Sequence, residues 1–206
     1  LDPVTLEVTQ IIHNDLKPFG ATINNQTQTL WFGNTTNSTV TAIDAKTGDV
    51  KGRLVLDNRK RSETVRPLAT RELAVDEKTN TVYVTGLGKE SVVWAIDGEK
   101  LALKATIENT GKMGTGLAVD ADKQRLYVTN GDGELVTIDT ASNKVLERKK
   151  LQDDGKEHFY INISLDTAGQ RAFITDSKAP QVLAVDLKSG KVLATIDTPE
   201  YLGVLY

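Results

Sequence analysis

Four short segments of this chain repeat one spacing, and that constrains the fold more than any other feature. Asp120 stands seven residues before Tyr127-Val128-Thr129-Asn130, and Asp76 seven before Tyr83-Val84-Thr85-Gly86. Asp166 stands seven before Phe173-Ile174-Thr175-Asp176, and Asn24 seven before Trp31-Phe32-Gly33-Asn34. A second anchor follows each aromatic by 12 to 14 residues, at Ile43-Asp44, Ile96-Asp97, Ile138-Asp139 and Val185-Asp186. The steps between successive aromatics are 52, 44 and 46. A period of this length, filled with short β-prone runs, predicts an all-β fold: β-propeller blades of four antiparallel strands.

The repeat places the strands. Strand A is expected at 72–76, 116–120 and 162–166, with 20–24 as a degenerate copy. Strand B is expected at 29–33, 81–85, 125–129 and 171–175. Strand C ends at each Ile/Val-Asp anchor, and strand D covers 50–56, 101–107, 144–150 and 191–197. Tripeptides such as Lys46-Thr47-Gly48 and Lys188-Ser189-Gly190 suit tight C-to-D hairpins. Strand C is apolar on both faces, with Trp94 and Ile96 on one and Val93 and Ala95 on the other. A sheet with one wet face would alternate apolar with polar, so blades stacked face to face are expected.

The complete repeats run approximately 18–69, 71–114, 115–160 and 161–200. Leu1-Asp2 matches the strand C anchor, Leu6 to Ile12 reads as a strand D, and 202–206 reads as the start of a further strand A. Partial blades are therefore expected at 1–13 and 202–206. Open edges there would pair with missing blades of the same protein or with a second copy. The 206 residues carry a net charge of −3 and are 39% apolar, which excludes a disordered chain. No run of ~18 apolar residues suggests a membrane span. The absence of cysteine rules out disulfides, thiolate metal sites and cysteine nucleophiles.

Tyr127-Val128-Thr129-Asn130 spells the signature of the YVTN-repeat β-propeller family. Leu73-Ala74-Val75-Asp76 with Tyr83-Val84-Thr85, and the run from Asp153 to Ser177, also resemble it. The resemblance implies a secreted, periplasmic, seven-bladed ring without assigned enzymatic activity and with an expected affinity for DNA. No leader is visible at Leu1. Seven repeats of this period need more than 206 residues, so the chain is read as an internal piece of such a ring.

Motifs that carry chemistry are sparse. His13 and His158 are the only histidines, and neither H-E-x-x-H nor G-x-S-x-G occurs. Asp120-Ala121-Asp122 begins like a calcium loop, but Arg125 stands where its glycine belongs. Gly111-Lys112-Met113-Gly114 fails the phosphate-loop spacing, because Thr106 replaces the first glycine. Asp44, Asp97, Asp139 and Asp186 read as turn residues rather than catalytic carboxylates. Neither a cofactor nor a metal is expected.

The loops remain. In a propeller the D-to-A and B-to-C loops share a rim, where binding residues concentrate. The longest D-to-A loop carries Lys51, Arg53, Arg59, Lys60, Arg61, Arg66 and Arg71 against Asp57 and Glu63. That is a local balance of +5, leaving −8 elsewhere, and it reads as an anion footprint. A second loop presents His158, Phe159 and Tyr160, and a third adds Lys112. The expected ligand- or nucleic-acid-binding set is Arg59, Lys60, Arg61, Arg66, Arg71, Lys112, His158, Phe159 and Tyr160. These features define a non-catalytic binding scaffold for an anionic or aromatic partner, with single-stranded nucleic acid as the candidate. The alternative is a quinoprotein-like or lyase-like enzyme with a ligand on the axis.

Overall fold

The computed structural model describes residue 2 and residues 4–198, which contain sixteen strands and no α-helix. The first blade is β1 (Pro18–Asn24), β2 (Thr29–Asn34), β3 (Thr39–Asp44) and β4 (Val50–Val55). The second is β5 (Ala69–Asp76), β6 (Thr81–Leu87), β7 (Val92–Asp97) and β8 (Ala102–Ile107). The third is β9 (Leu117–Asp120), β10 (Arg125–Thr129), β11 (Glu134–Asp139) and β12 (Lys144–Lys150). The fourth is β13 (Tyr160–Asp166), β14 (Arg171–Asp176), β15 (Gln181–Asp186) and β16 (Val192–Asp197). Each blade is its own four-stranded antiparallel sheet with strands in chain order, as the repeat predicts.

Burial explains why strand C is apolar on both faces. Val93 and Ala95 pack with Leu117, Val128, Val136 and Ile138 between the second and third blades. Trp94 and Ile96, on the opposite face of the same strand, pack with Trp31, Val40 and Ala42 between the first and second. A third cluster joins Tyr127 and Leu135 to Tyr160, Ile174 and Leu183. Each fully buried aliphatic or aromatic side chain contributes about 1.5–3 kcal/mol, so these interfaces outweigh anything one blade could gain alone. The innermost strands also touch in order, β1 with β5, β5 with β9 and β9 with β13.

Both turns of a blade share one design. The anchor carboxylate or amide accepts backbone N–H groups two or three residues on: Asp44 Oδ1 from Lys46 and Thr47, Asp76 Oδ1 from Lys78 and Thr79, Asp97 Oδ1 from Glu99 and Lys100. Four residues past each anchor the backbone is left-handed, at Gln28, Asn80, Gln124 and Gln170 in the A-to-B turns. In the C-to-D turns it is left-handed at Gly48, Leu101, Asn143 and Gly190. Leu101 is the costly member, because the left-handed region disfavours a branched side chain by about 1–2 kcal/mol. Its side chain reaches the first blade, where a Cβ on Gly52 would fall 2.5 Å from Leu101 Cδ1.

The threonine of the signature also has a structural job. The A-to-B ladder slips between Thr70 and Leu73, and the freed Glu72 N–H donates to Thr85 Oγ1 at 2.9 Å. Gly116 N–H donates in the same way to Thr129 Oγ1 at 3.1 Å. A matching slip occurs between strands C and D of every blade, at Ala42/Ile43, Ala95/Ile96, Thr137/Ile138 and Ala184/Val185.

Two expectations need correction. Leu6 to Ile12 is not a strand, because no neighbouring strand offers it a ladder; Gln10 instead donates its side-chain amide to Thr47 O. Strand A starts earlier than expected in three blades, at Pro18, Ala69 and Tyr160, because the bulge lets it run on past the slip. The expected strand at 202–206 lies outside the described residues.

Inner strands pack backbone to backbone at the blade junctions. A Cβ on Gly20 would stand 2.1 Å from the Arg71 carbonyl oxygen. Gly20→Ala is therefore expected to destabilise the fold by about 1–3 kcal/mol, read as a lower urea midpoint. An unchanged midpoint would show that the first blade yields freely. The half-buried C-to-D aspartates supply an acid limb. Their carboxyls lie below the usual range because Thr47 N–H bonds Asp44, Lys100 N–H bonds Asp97, and the Ser142 and Ser189 hydroxyls bond Asp139 and Asp186. A depressed carboxyl contributes stability above its unfolded value of ~3.9 and loses it as pH falls through the folded value. Converting all four to asparagine keeps the acceptor and removes the charge. That variant should show a shallower loss of urea midpoint below about pH 4 than the parent.

Candidate functional site

The rim is built by D-to-A loops 56–68, 108–116 and 151–159 and by the B-to-C turns they meet. Backbone hydrogen bonds lock the two sets together. Ser91 N donates to Gly111 O, Met113 N to Gly88 O, Gly131 N to Lys112 O, and Ser177 N to Phe159 O. The fourth signature residue adds a latch, with Asn130 Nδ2 donating to Thr110 O at 3.1 Å.

The basic loop is organised by one of its two carboxylates. Asp57 receives Arg59 Nε at 2.9 Å, Arg59 Nη2 at 2.6 Å and Leu68 N at 2.7 Å. The Arg59 side chain holds the Asp57 carboxyl well below the usual range, at about 2. Arg59 is thus neutralised by its own loop, as Lys51 is by Asp44 at 3.5 Å. Arg71 lies flat over the Phe19 ring at 3.6 Å. Glu72, next to it on the inner strand, has its carboxyl raised by burial. Lys60, Arg61 and Arg66 are exposed and make no ion pair among the described residues.

Arg59, Arg61 and Arg66 line a cavity of about 910 Å³ between the 56–68 loop and the second blade, together with Lys89 from the B-to-C turn. Leu68, Leu87 and Met113 supply apolar lining, and Glu90 and Glu108 partly offset the charge. A basic rim over an apolar lining suits an anion that carries a flat or apolar group.

The second group of expected residues is only partly available. Tyr160 is the first residue of β13 and fully buried, with its hydroxyl on Gln152 Oε1 at 3.0 Å. His158 is buried as well, and its ring stacks on Tyr160. Neither can stack on a ligand at the surface. Phe159 is half-buried and lines a neighbouring cavity of about 410 Å³ with Lys150, Lys156 and Lys178. Met113 of the first cavity and Phe159 of the second flank the same glycine, since a Cβ on Gly131 would touch both. Lys112 stays exposed on the same rim and is drawn to Asp132 at 3.8 Å.

Sequence reasoning missed Lys89, Lys150, Lys156, Lys178 and Asp176. The first four sit in turns or at strand ends outside the long loop where charge was sought. Asp176 had a readable signal, because it replaces the asparagine of the signature in the fourth repeat.

Four antiparallel blades, packed face to face with their loops gathered on a shared rim, define a β-propeller. A family model described as outer membrane protein assembly factor BamB (PQQ_2) matches residues 36–203, and the chain belongs to that family. It is 72% identical over all 206 residues to the uncharacterized protein YncE of Escherichia coli strain K12, and 73% identical to YncE of Salmonella typhi. The chain spans 58% of the length of each of these relatives. Among solved structures it is similar to Kuenenia stuttgartiensis hydrazine synthase, with a TM-score of 0.73 and 19% identity over 92% of this chain and 51% of that one. It is also similar to U3-55K, with a TM-score of 0.69 and 10% identity over 89% of this chain and 52% of that one. At such identities the likeness is one of fold alone.

The geometry makes Asp57 the keystone of the basic loop. Asp57→Ala should leave Leu68 N–H and the Arg59 guanidinium without their acceptor. Limited proteolysis within residues 58–66 is expected to speed up several-fold while the blades stay intact. Cleavage at the parent rate would show that the loop is held by other contacts.

Proposed function

We propose that this chain is part of a non-catalytic, periplasmic binding scaffold whose rim captures an anionic partner with flat rings, single-stranded nucleic acid being the class that fits best. One observation carries the reading. Unpaired Arg61 and Arg66, with Lys89, surround an apolar-lined cavity on a body that is otherwise acidic. The arginine forks suit phosphate oxygens, and the apolar lining suits a base. Phe159 lies one cavity along the rim, within the reach of an extended strand. Of the expected set, Lys60, Arg61, Arg66, Lys112 and Phe159 face solvent and take part directly. Arg59 shapes the loop through Asp57, Arg71 is committed to Phe19, and His158 and Tyr160 support the rim from beneath.

The test is binding of a labelled oligonucleotide by fluorescence anisotropy. Replacing Lys60, Arg61 and Arg66 with alanine should weaken binding and flatten its dependence on salt between ~50 and ~200 mM. Phe159→Ala should weaken binding by about 1–3 kcal/mol with little change in salt slope. Parent binding that ignores salt over this range would remove the phosphate contacts. Undiminished affinity in both variants would place the partner on the opposite face, among the A-to-B and C-to-D turns.

A further inference from the structure

The rim loop at 151–159 is closed by a buried charge cluster that the binding reading does not use. His158 Nδ1 lies 2.6 Å from Asp176 Oδ2, and His158 Nε2 lies 2.9 Å from Asp154 Oδ1. The imidazole side chain is 2% exposed and that of Asp176 is 0% exposed. A neutral imidazole has one N–H, so its other nitrogen would turn a lone pair toward a carboxylate at contact distance. A carboxylate at each nitrogen suits the imidazolium, in which both nitrogens donate. Asp176 has further donors: its Oδ1 also accepts Phe159 N and Lys178 N, and its Oδ2 also accepts Gln181 Nε2.

The third blade latches the corresponding loop without an imidazole. Asn130 occupies the position of Asp176 and latches the preceding loop through its neutral amide. The fourth blade has replaced amide and carbonyl by carboxylate and imidazole. The first latch is indifferent to pH and the second is not.

We propose that His158 is a proton-operated latch, which holds loop 151–159 and its surface residues Lys156 and Phe159 against the fourth blade when charged and releases them when neutral. Several charged groups among the described residues surround it. The loop itself carries Asp153, Asp154, Lys156 and Glu157, and β12 brings Lys150. The turn at 131–133 brings Asp132. Strand β13 brings Tyr160, and β14 with its following turn brings Asp176 and Lys178. Imidazole is the side chain whose ordinary titration falls nearest neutral pH, so it is the switch assigned here. Burial alone pushes its pKa down, but its hydrogen bonds to Asp176 and Asp154 more than offset this and leave it raised. A raised imidazole contributes stability that is complete below ~6.5 and lost as pH climbs through the folded value. The latch is therefore shut in mild acid and opens on the alkaline side.

If the rim binds as proposed above, partner binding inherits this pH dependence through Phe159; the latch itself stands without that reading. Its test needs no partner. The chain has two histidines, and exposed His13 serves as the internal reference in an NMR titration of the ring C–H signals. His158 is expected to titrate above His13. Amide hydrogen exchange, corrected for intrinsic rates, should speed up at least about fivefold in residues 152–160 between pH 6 and pH 9. Residues 108–115, latched by Asn130, should not respond. His158→Gln should make the 152–160 exchange fast and independent of pH, with unchanged exchange in the first two blades reporting that the fold persists. A His158 that titrates with or below His13, or a loop whose protection ignores pH in the parent protein, would overturn the latch. Lost nucleic-acid binding with an intact loop response would count against the rim reading alone.

Discussion

Everything in this structure rests on sheets that are apolar on both faces. A single blade buries one face of strand C only by exposing the other, so no blade is a stable unit. Trp94 and Val93 are neighbours in sequence, yet they belong to two different interfaces, one on each side of their sheet. Stability in such a molecule is set by nearest neighbours, as in other repeat architectures. Damage to a blade that is packed on both faces therefore weakens two interfaces.

The rim inherits its rigidity from the same stacking. Each D-to-A loop is pinned by backbone bonds to the adjacent turns, and in the third and fourth blades the fourth signature residue closes the joint. Sequence variation is concentrated in what this joint carries. The first loop uses Asp57 to fold a basic segment back on itself, the third blade uses an amide latch, and the fourth uses an imidazole between carboxylates. The scaffold repeats and the rim chemistry does not, so binding is the property free to diverge.

The repeat made the fold legible because spacing survives substitution. Asn24 and Asp76 are different residues, but either can accept the turn amides, so the anchor position was recoverable in both. The turn role of Asp44, Asp97, Asp139 and Asp186 was legible for the same reason. The site was less so. A count of +5 over the long loop subtracted Asp57 without showing that it closes on Arg59, and it left out Asp44, which sits within reach of Lys51. Tyr160 looked like a loop aromatic because the bulge that extends strand A leaves no mark in the hydrophobic pattern. Lysines from four separate segments meet beside Phe159 and Met113, and no local pattern announces a meeting of that kind.

The slip between strands C and D recurs at the same step in all four blades and falls on the outermost strand each time. Its extra residue is Lys51, Lys104, Leu146 or Leu193. Two of these lysines turn inward to bond Thr29 and Thr81 on strand B of their own blade. An outermost strand presents a free row of amides and carbonyls, which another chain can read as a template. A bulge spoils that template by bending the strand and breaking its register. The perimeter is thus interrupted once per blade. Sheets that tolerate contact along their faces are made poor partners along their edges, and a crowded compartment can hold many copies without their zipping together.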